Sequence, residues 1–371
     1  MQDRPRVALI ALHFAEYSAN LAEALAADAD VLLVLYRSNA DNELGVGWEK
    51  SLNHPQLQVL VLERPHTPLA IVKNIFQLVS TLNGFAPSVI HYQEGNRDEL
   101  LFSLPFFRSL PKVVTVHDPA PHSGVDAARH RYSRIRLYGF LMRRSADAAV
   151  VHGKLLATEL ERVCPWFAGK IAVIAHGPLG LRHASRLSQR PSGMRLLFFG
   201  RIHKYKGLGH FVAAVIRLHR EGLAVVGVVA GAGSDLDEHR AAMAAAGCFE
   251  VLEGYIPSAD VPKLFREARA VVLPYIDGTQ SGVAAMALGF GCPVIATAVG
   301  SIPELVRNGQ NGLLVAPADT AALTDAIRSV VLDDDLWDHL AQGGLDLREG
   351  ELAWRSLGAQ TLKVYESIRK N

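Results

Sequence analysis

The residues best suited to hold an anion lie in two glycine-punctuated loops of the second half of the chain. The first is LLFFGRIHKYKG at Leu196–Gly207. An apolar strand ends at Gly200, a basic loop carries Arg201 and Lys206, and a helix opens near Gly207. In open α/β sheets ligands bind beyond the carboxyl ends of the strands, where helix N-termini face anions. Arg201 and Lys206 would therefore aim fixed positive charge at a diphosphate. Taken alone, the same residues also fit a solvated basic surface loop. The second loop is LPYIDGTQSGV at Leu273–Val283. A strand runs into a small, polar turn, and a helix starts near Ser281, which suits the N-cap. The backbone N–H groups of Gly282 and Val283 would be free there to bind an anion. A capped helix with nothing bound is the plainer alternative.

The elements that must position these loops follow from the hydropathy pattern. Short β-branched or aliphatic runs alternate with helix-length segments, the pattern of a parallel sheet covered by helices. Strands are expected at 6–12, 30–36, 57–62, 88–92, 112–117, 148–152 and 171–175, with helices at 15–27, 69–82 and 153–163. The stretch 176–193 is rich in Gly, Pro, Ser and Arg and lacks periodicity, as a linker does. The alternation then restarts, with strands at 195–199, 224–230, 249–252, 270–274, 293–296 and 312–315. Helices are expected at 208–221, 235–246, 262–267, 282–289 and 320–332. Asp333–Asp335 is read as a solvated turn, and 352–369 as a final helix with Trp354, Leu357, Leu362 and Tyr365 to bury.

A chain of 371 residues exceeds what one core usually fills, so two domains are expected. Hydrophobic residues at 49% and charged residues at 20% exclude a disordered chain. A net charge of +1 argues against nucleic acid as a partner. Three scattered cysteines, Cys164, Cys248 and Cys292, give neither a disulfide framework nor a zinc site. The apolar run Val7–Leu12 is too short for a signal peptide core, and no segment is long enough to span a bilayer. A cytoplasmic protein is expected. Arg129–Arg144 holds six arginines and no acid. It fits either a solvated helix or a peripheral contact with anionic lipid at the inner face of the cell membrane. Phe102–Phe107 is apolar enough for a membrane contact, and a core-facing helix explains it equally well.

The order of motifs in the second half resembles the donor domain of family 4 glycosyltransferases, which have the GT-B fold. The matching stretches are FFGRIHKYKGL, VVAGAGSD at Val228–Asp235, EGYIP at Glu253–Pro257, LPY at Leu273–Tyr275, and GCPVIATAVGSIPELVRNGQNGLLV at Gly291–Val315. In the first half, VVTVHDP at Val113–Pro119 looks like the family's strand ending in a His-Asp pair, and Trp354 looks like its closing segment. The resemblance implies two Rossmann-like domains facing across a cleft: residues 1–180 on the acceptor side, 181–351 binding the donor, and a helix at 352–371 returning to the first domain. It implies transfer of a hexose from a nucleotide-sugar donor to a glycan or lipid-linked saccharide acceptor, as in polysaccharide biosynthesis. Anomeric configuration would be retained, with no cofactor and no metal.

Residue roles follow the same resemblance. Arg201 and Lys206, with the amides of Gly282 and Val283, would stabilise the departing diphosphate. His117 would hydrogen-bond the donor sugar, with Asp118 fixing its orientation. Gly231, Tyr255, Ile256, Gln280 and Ser281 fall at nucleoside and sugar positions. His13, at the end of the first strand, and Tyr17, opening the next helix, are placed for acceptor contacts. His13 fits a satisfied rim histidine equally well. One departure stands out. Many relatives carry two glutamates with seven residues between them before the GCPVIA-like stretch, and here Gly278 and Met286 hold those places. A non-catalytic nucleotide-sugar binder on the same fold is therefore the alternative. A sugar-nucleotide epimerase would need cleft carboxylates, and a dinucleotide oxidoreductase would need GxGxxG after the first strand.

Overall fold

The computed structural model describes residues 4–95, 97–119, 134–182 and 190–369. Arg129 and Arg131 of the basic stretch, and residues 183–189 of the linker, lie outside the described residues. The chain forms two compact units: residues 1–175 together with 354–371, and residues 176–353.

The first unit is built on strands β1 (Arg6–Ala11), β2 (Asp30–Tyr36), β3 (Leu57–Leu62), β4 (Val89–Gln93), β5 (Lys112–Thr115), β6 (Ala148–Val151) and β7 (Ile171–Val173). All pair in parallel, in the order β3-β2-β1-β4-β5-β6-β7. Val7–Ala11 and Val31–Tyr36 are buried without a break, because helices cover both faces of a parallel sheet. Chain order reverses between β1 and β4, so the ligand crevice of this sheet type opens at their carboxyl ends. Helices Pro68–Phe85, Asp98–Ser103, Arg134–Ser145 and Lys154–Val163 share one core with the strands, in which Leu78, Leu82, Leu100, Phe107, Met142 and Leu160 meet Ile10, Val34, Tyr92 and Val114. The C-terminal helix Trp354–Arg369 packs on the helix Ala15–Ala26. A Cβ on Gly358 would stand 2.9 Å from that of Ala24, so the two helices approach closely.

The second unit repeats the plan with β8 (Met194–Phe199), β9 (Val225–Gly231), β10 (Phe249–Glu253), β11 (Ala270–Leu273), β12 (Val294–Thr297) and β13 (Gly312–Val315). The parallel order is β10-β9-β8-β11-β12-β13, with the reversal between β8 and β11. Its core joins Leu196, Phe198, Val229 and Val272 to Phe211 and Val215 of the helix Leu208–Arg220 and to Ile327 and Val330 of the helix Thr320–Leu332.

Two expectations are corrected. Asp333–Asp335 does not form a turn: Asp333 caps the helix Asp334–Glu349 by accepting the N–H of Leu336 at 2.9 Å. Asp334 and Asp335 place negative charge in its first turn, where the helix dipole favours it. Asp334 also accepts from buried Arg269 at 2.6 Å. The segment Phe102–Phe107 does not face the core throughout. The helix gives way after Ser103 to a tighter turn at Leu104–Phe107, with Pro105 in it, and the change of pitch sends Phe107 inward and leaves Phe102 and Phe106 exposed.

Candidate functional site

In the second unit, loops from β8, β9, β11 and β12 are stitched together at the carboxyl end of the sheet. Gly231 ends β9 at φ +147°, and a Cβ there would lie 1.9 Å from the carbonyl oxygen of Gly200. Gly300, after β12, has φ +54° and comes as close to Gly278, at 2.2 Å. Only glycine permits both approaches. Ile276 N–H donates to Tyr205 O at 2.7 Å, and Ser301 N–H to Thr279 O at 2.8 Å, which ties the β11 loop to its neighbours.

Lys206 closes the single turn Lys204–Lys206. Its Nζ lies 5.2 Å from the centroid of the Tyr275 ring. The point where a Cβ would sit on Gly200 is 3.6 Å from Lys206 Nζ and 3.7 Å from Val283 Cγ2, so the ammonium and the start of the helix Gly282–Gly289 flank this glycine. Arg201 is exposed beside them. Neither cation pairs with a carboxylate among the described residues. Ser281 is buried and caps the helix, its Oγ accepting from Ala284 N–H at 3.2 Å. That bond leaves the N–H groups of Gly282 and Val283 without an acceptor among the described residues. Lys206 Nζ and the open N-terminus of the helix Gly282–Gly289 thus meet at Gly200, at the switch point of the sheet, an arrangement suited to an anion.

Around this core Gln280 is half-buried and unbonded among the described residues, while Tyr255 and Ile256 follow β10, two strands out from Gly200. Gly254 N–H reaches Gly231 O at 3.1 Å and brings that loop in. Gly278 donates to Asp277 Oδ1 at 2.8 Å, and a Cβ on it would meet only Tyr275, at 3.6 Å. Met286 is half-buried one helical turn along. Sequence reasoning passed over two neighbours. The hydroxyl of Ser301 is buried with no partner among the described residues, a condition that native structures rarely leave unexplained. His176 Nδ1 donates to Gly177 O at 2.8 Å, and its Cε1 lies 3.7 Å from the Cβ position of Gly282. Burial lowers its pKa to about 4, so the ring is neutral at pH 7.

In the first unit, loops after β1, β4, β5 and β6 gather a second set. His117 is buried, and its Nε2 donates to Gln93 Oε1 at 3.0 Å. The bond continues through the sheet. Gln93 donates to Thr115 Oγ1 at 3.5 Å, Thr115 and His91 Nε2 are 2.7 Å apart, and His91 Nδ1 is 2.7 Å from the hydroxyl of Tyr365 on the C-terminal helix. Burial takes the His91 pKa down to about 3, so the relay is neutral. Phe14 holds the left-handed conformation at φ 56°, which is strained for a bulky residue. Its ring lies 4.0 Å from that of His117.

Tyr17, expected to touch the acceptor, is buried, with its ring edge-on to His117, His152 and Trp354 at 5.7, 5.4 and 5.2 Å. His13 Nε2 accepts from Arg97 Nε at 3.2 Å. Burial, then the charges of Arg97 and Arg64, bring its pKa down to about 4. Asp118 is exposed, and its carbonyl oxygen accepts from Arg143 at 3.1 Å. Arg143 also grips half-buried Glu94 through two bonds of 2.7 and 3.0 Å. This arginine of the basic stretch fixes the His117–Pro119 loop. Burial pushes the Glu94 carboxyl up, and Arg143 opposes the shift. Gln93 and Glu94 escaped notice in the sequence, although their place directly after an apolar strand was a usable signal.

Comparison with known proteins is consistent across both units. A model of the glycosyl transferase 4-like domain matches residues 14–177, and one of glycosyl transferases group 1 matches 193–333. The chain is 25% identical to the glycogen synthase of Mycobacterium tuberculosis over 303 residues, 79% of this chain and 72% of the relative. It is 32% identical to the D-inositol 3-phosphate glycosyltransferase of Nocardioides sp. over 202 residues, 50% of this chain and 44% of the relative. The fold is similar to that of sucrose-phosphate synthase from Thermosynechococcus elongatus, with a TM-score of 0.69 at 18% identity over 98% of this chain and 99% of the other. It is also similar to that of HepE from Anabaena, with a TM-score of 0.70 at 17% identity over 98% and 100%. With both halves matched, the chain belongs to family 4 of the glycosyltransferases, enzymes of the GT-B fold that transfer a sugar from a nucleotide-sugar donor.

Proposed function

We propose that the protein moves a hexose from a nucleoside-diphosphate sugar to a glycan or lipid-linked saccharide, retaining anomeric configuration and needing no metal. The observation that carries this reading is the meeting of Lys206 Nζ and the open N-terminus of the helix Gly282–Gly289 at Gly200, with Arg201 exposed next in the chain. Breaking a glycosidic bond to a diphosphate leaves negative charge on the departing oxygen. Fixed cations and preorganised amides stabilise that charge without rearranging, and they supply what a metal ion would otherwise supply. His117, held by Gln93 and Phe14, hydrogen-bonds the sugar being transferred. Gln280, Ser281 and Ser301 take the nucleoside and sugar hydroxyls in place of the missing glutamates. HepE of Anabaena has been described in complex with UDP-glucose, and UDP-glucose is the first donor to try.

Titration calorimetry with UDP tests the phosphate site. Arg201→Ala and Lys206→Ala should each weaken binding about tenfold or more, since hydrogen bonds to charged groups contribute roughly 1.5–3 kcal/mol. Unchanged affinity in both variants would remove the assignment. Turnover of UDP-glucose in the presence of a chelator, with the product anomer read by NMR, tests metal independence and stereochemistry together.

A further inference from the structure

Among the described residues, four of the five exposed phenylalanines lie on three neighbouring helices of the first unit. The helix Pro68–Phe85 exposes Leu69, Val72 and Phe76, with Leu69 at 78% and Phe76 at 74%. The turn after Asp98–Ser103 exposes Phe106 at 63%, next to Phe102, and Arg134–Ser145 exposes Leu137 and Phe140. The helices form one layer. Asn74 donates to Glu99 Oε1 at 2.9 Å, and the Tyr138 hydroxyl bonds to Asp98, so each helix is tied to the next. Their opposite sides are sunk in a common core through Leu78, Leu100, Phe107 and Met142. The apolar side chains on the outer side therefore share a surface. A soluble monomer seldom leaves so many large apolar groups together without a use.

The fully exposed charged side chains on this layer are all cations. Lys73, Arg108, Arg136 and Arg144 are exposed on it, while its two acids are occupied: Glu99 is buried and Asp98 is bonded to Tyr138. Arg144 also lies over the ring of Trp166, 5.9 Å from its centroid, so its stem stays with the apolar surface. Apolar and aromatic groups ringed by cations match the boundary of an anionic bilayer, where acyl chains take the first and phosphate headgroups the second.

We propose that this three-helix face docks the protein on an anionic lipid surface, lying in the interface without crossing it. Exposed phenylalanines enter the acyl boundary, and the four cations meet lipid phosphates. The contact is separate from the donor chemistry and stands or falls without it.

Co-sedimentation of the full chain with phosphatidylcholine vesicles, with and without phosphatidylglycerol, tests the proposal. Binding is expected only with phosphatidylglycerol and should weaken as salt rises. Phe76→Ser with Phe106→Ser should lower the partition about tenfold, and Arg136→Gln with Arg144→Gln about fivefold per arginine. Thermal melts of both double variants confirm that they remain folded. No binding to anionic vesicles, or equal binding by wild type and both variants, overturns the proposal. So does a dimer in light scattering that Phe76→Ser with Phe106→Ser dissolves, because the face would then serve self-association.

Discussion

At the level of single residues, we propose that Gly278 and Met286 stand at the two places where many family members would carry a glutamate. The structure shows what the change does locally. Gly278 sits in open space against Tyr275 alone, so a side chain there meets no steric barrier. Gln280, two residues on, is half-buried and unbonded among the described residues, and Ser301 holds an orphan hydroxyl nearby. If these groups replace the lost acid, Gln280→Ala should weaken UDP binding about fivefold, the worth of one neutral hydrogen bond at ~1 kcal/mol. Gly278→Glu in that background should restore it. Calorimetry on the two variants decides the matter, and an unaffected Gln280→Ala would show that the nucleoside is held elsewhere. The glycine-rich turns after the strands were legible in the sequence because residue type and spacing set them locally. Phe14 was not, since nothing local marks a phenylalanine as left-handed.

Among the elements, the C-terminal helix does more than close the chain. It reaches the His117 loop twice, once through Trp354 against Tyr17 and once through the relay Tyr365–His91–Thr115–Gln93. A ring held by one hydrogen bond and one stacked neighbour is only as well placed as its supports. Tyr365→Phe removes a hydroxyl from a buried pair and leaves His91 Nδ1 without its partner, at a cost of roughly 1–3 kcal/mol. The expected outcome is a lower melting temperature and a several-fold loss of kcat, with little change in KM for the donor. A loss confined to stability would reduce the relay to packing. The expected helix at 352–369 and its apolar residues were readable from periodicity. The relay was not, because it joins residues 274 positions apart.

Across the whole molecule, buried neutral histidines couple stability to pH. His91, His176 and His13 have pKa values lowered from 6.5 to about 3, about 4 and about 4. Between those values and 6.5 the unfolded chain binds protons that the folded chain refuses. Stability is therefore fully present above pH 6.5 and falls as pH drops towards 4. Each fully buried ring contributes a slope of about 1.4 kcal/mol per pH unit in that window. Melting curves from pH 7.5 to 5 should show a steady decline below about pH 6.5, and a flat profile would mean that these rings are not buried neutral in solution.

The sequence by itself determined the two-sheet architecture and the glycine-punctuated loops at the strand ends. Hydropathic period, strand-ending glycines and the Ser281 cap act over a few residues, and those interactions need no distant partner. Only the tertiary structure decided which apolar helix faces stay outside, as with Phe76, Phe102 and Phe106, because an amphipathic pattern does not say what covers it. It alone also decided how His117 is held. Gln93, Phe14 and Tyr17 meet around that ring, and Tyr365 supports it through His91, by long-range packing in which geometry among distant segments, not residue type, selects the contact.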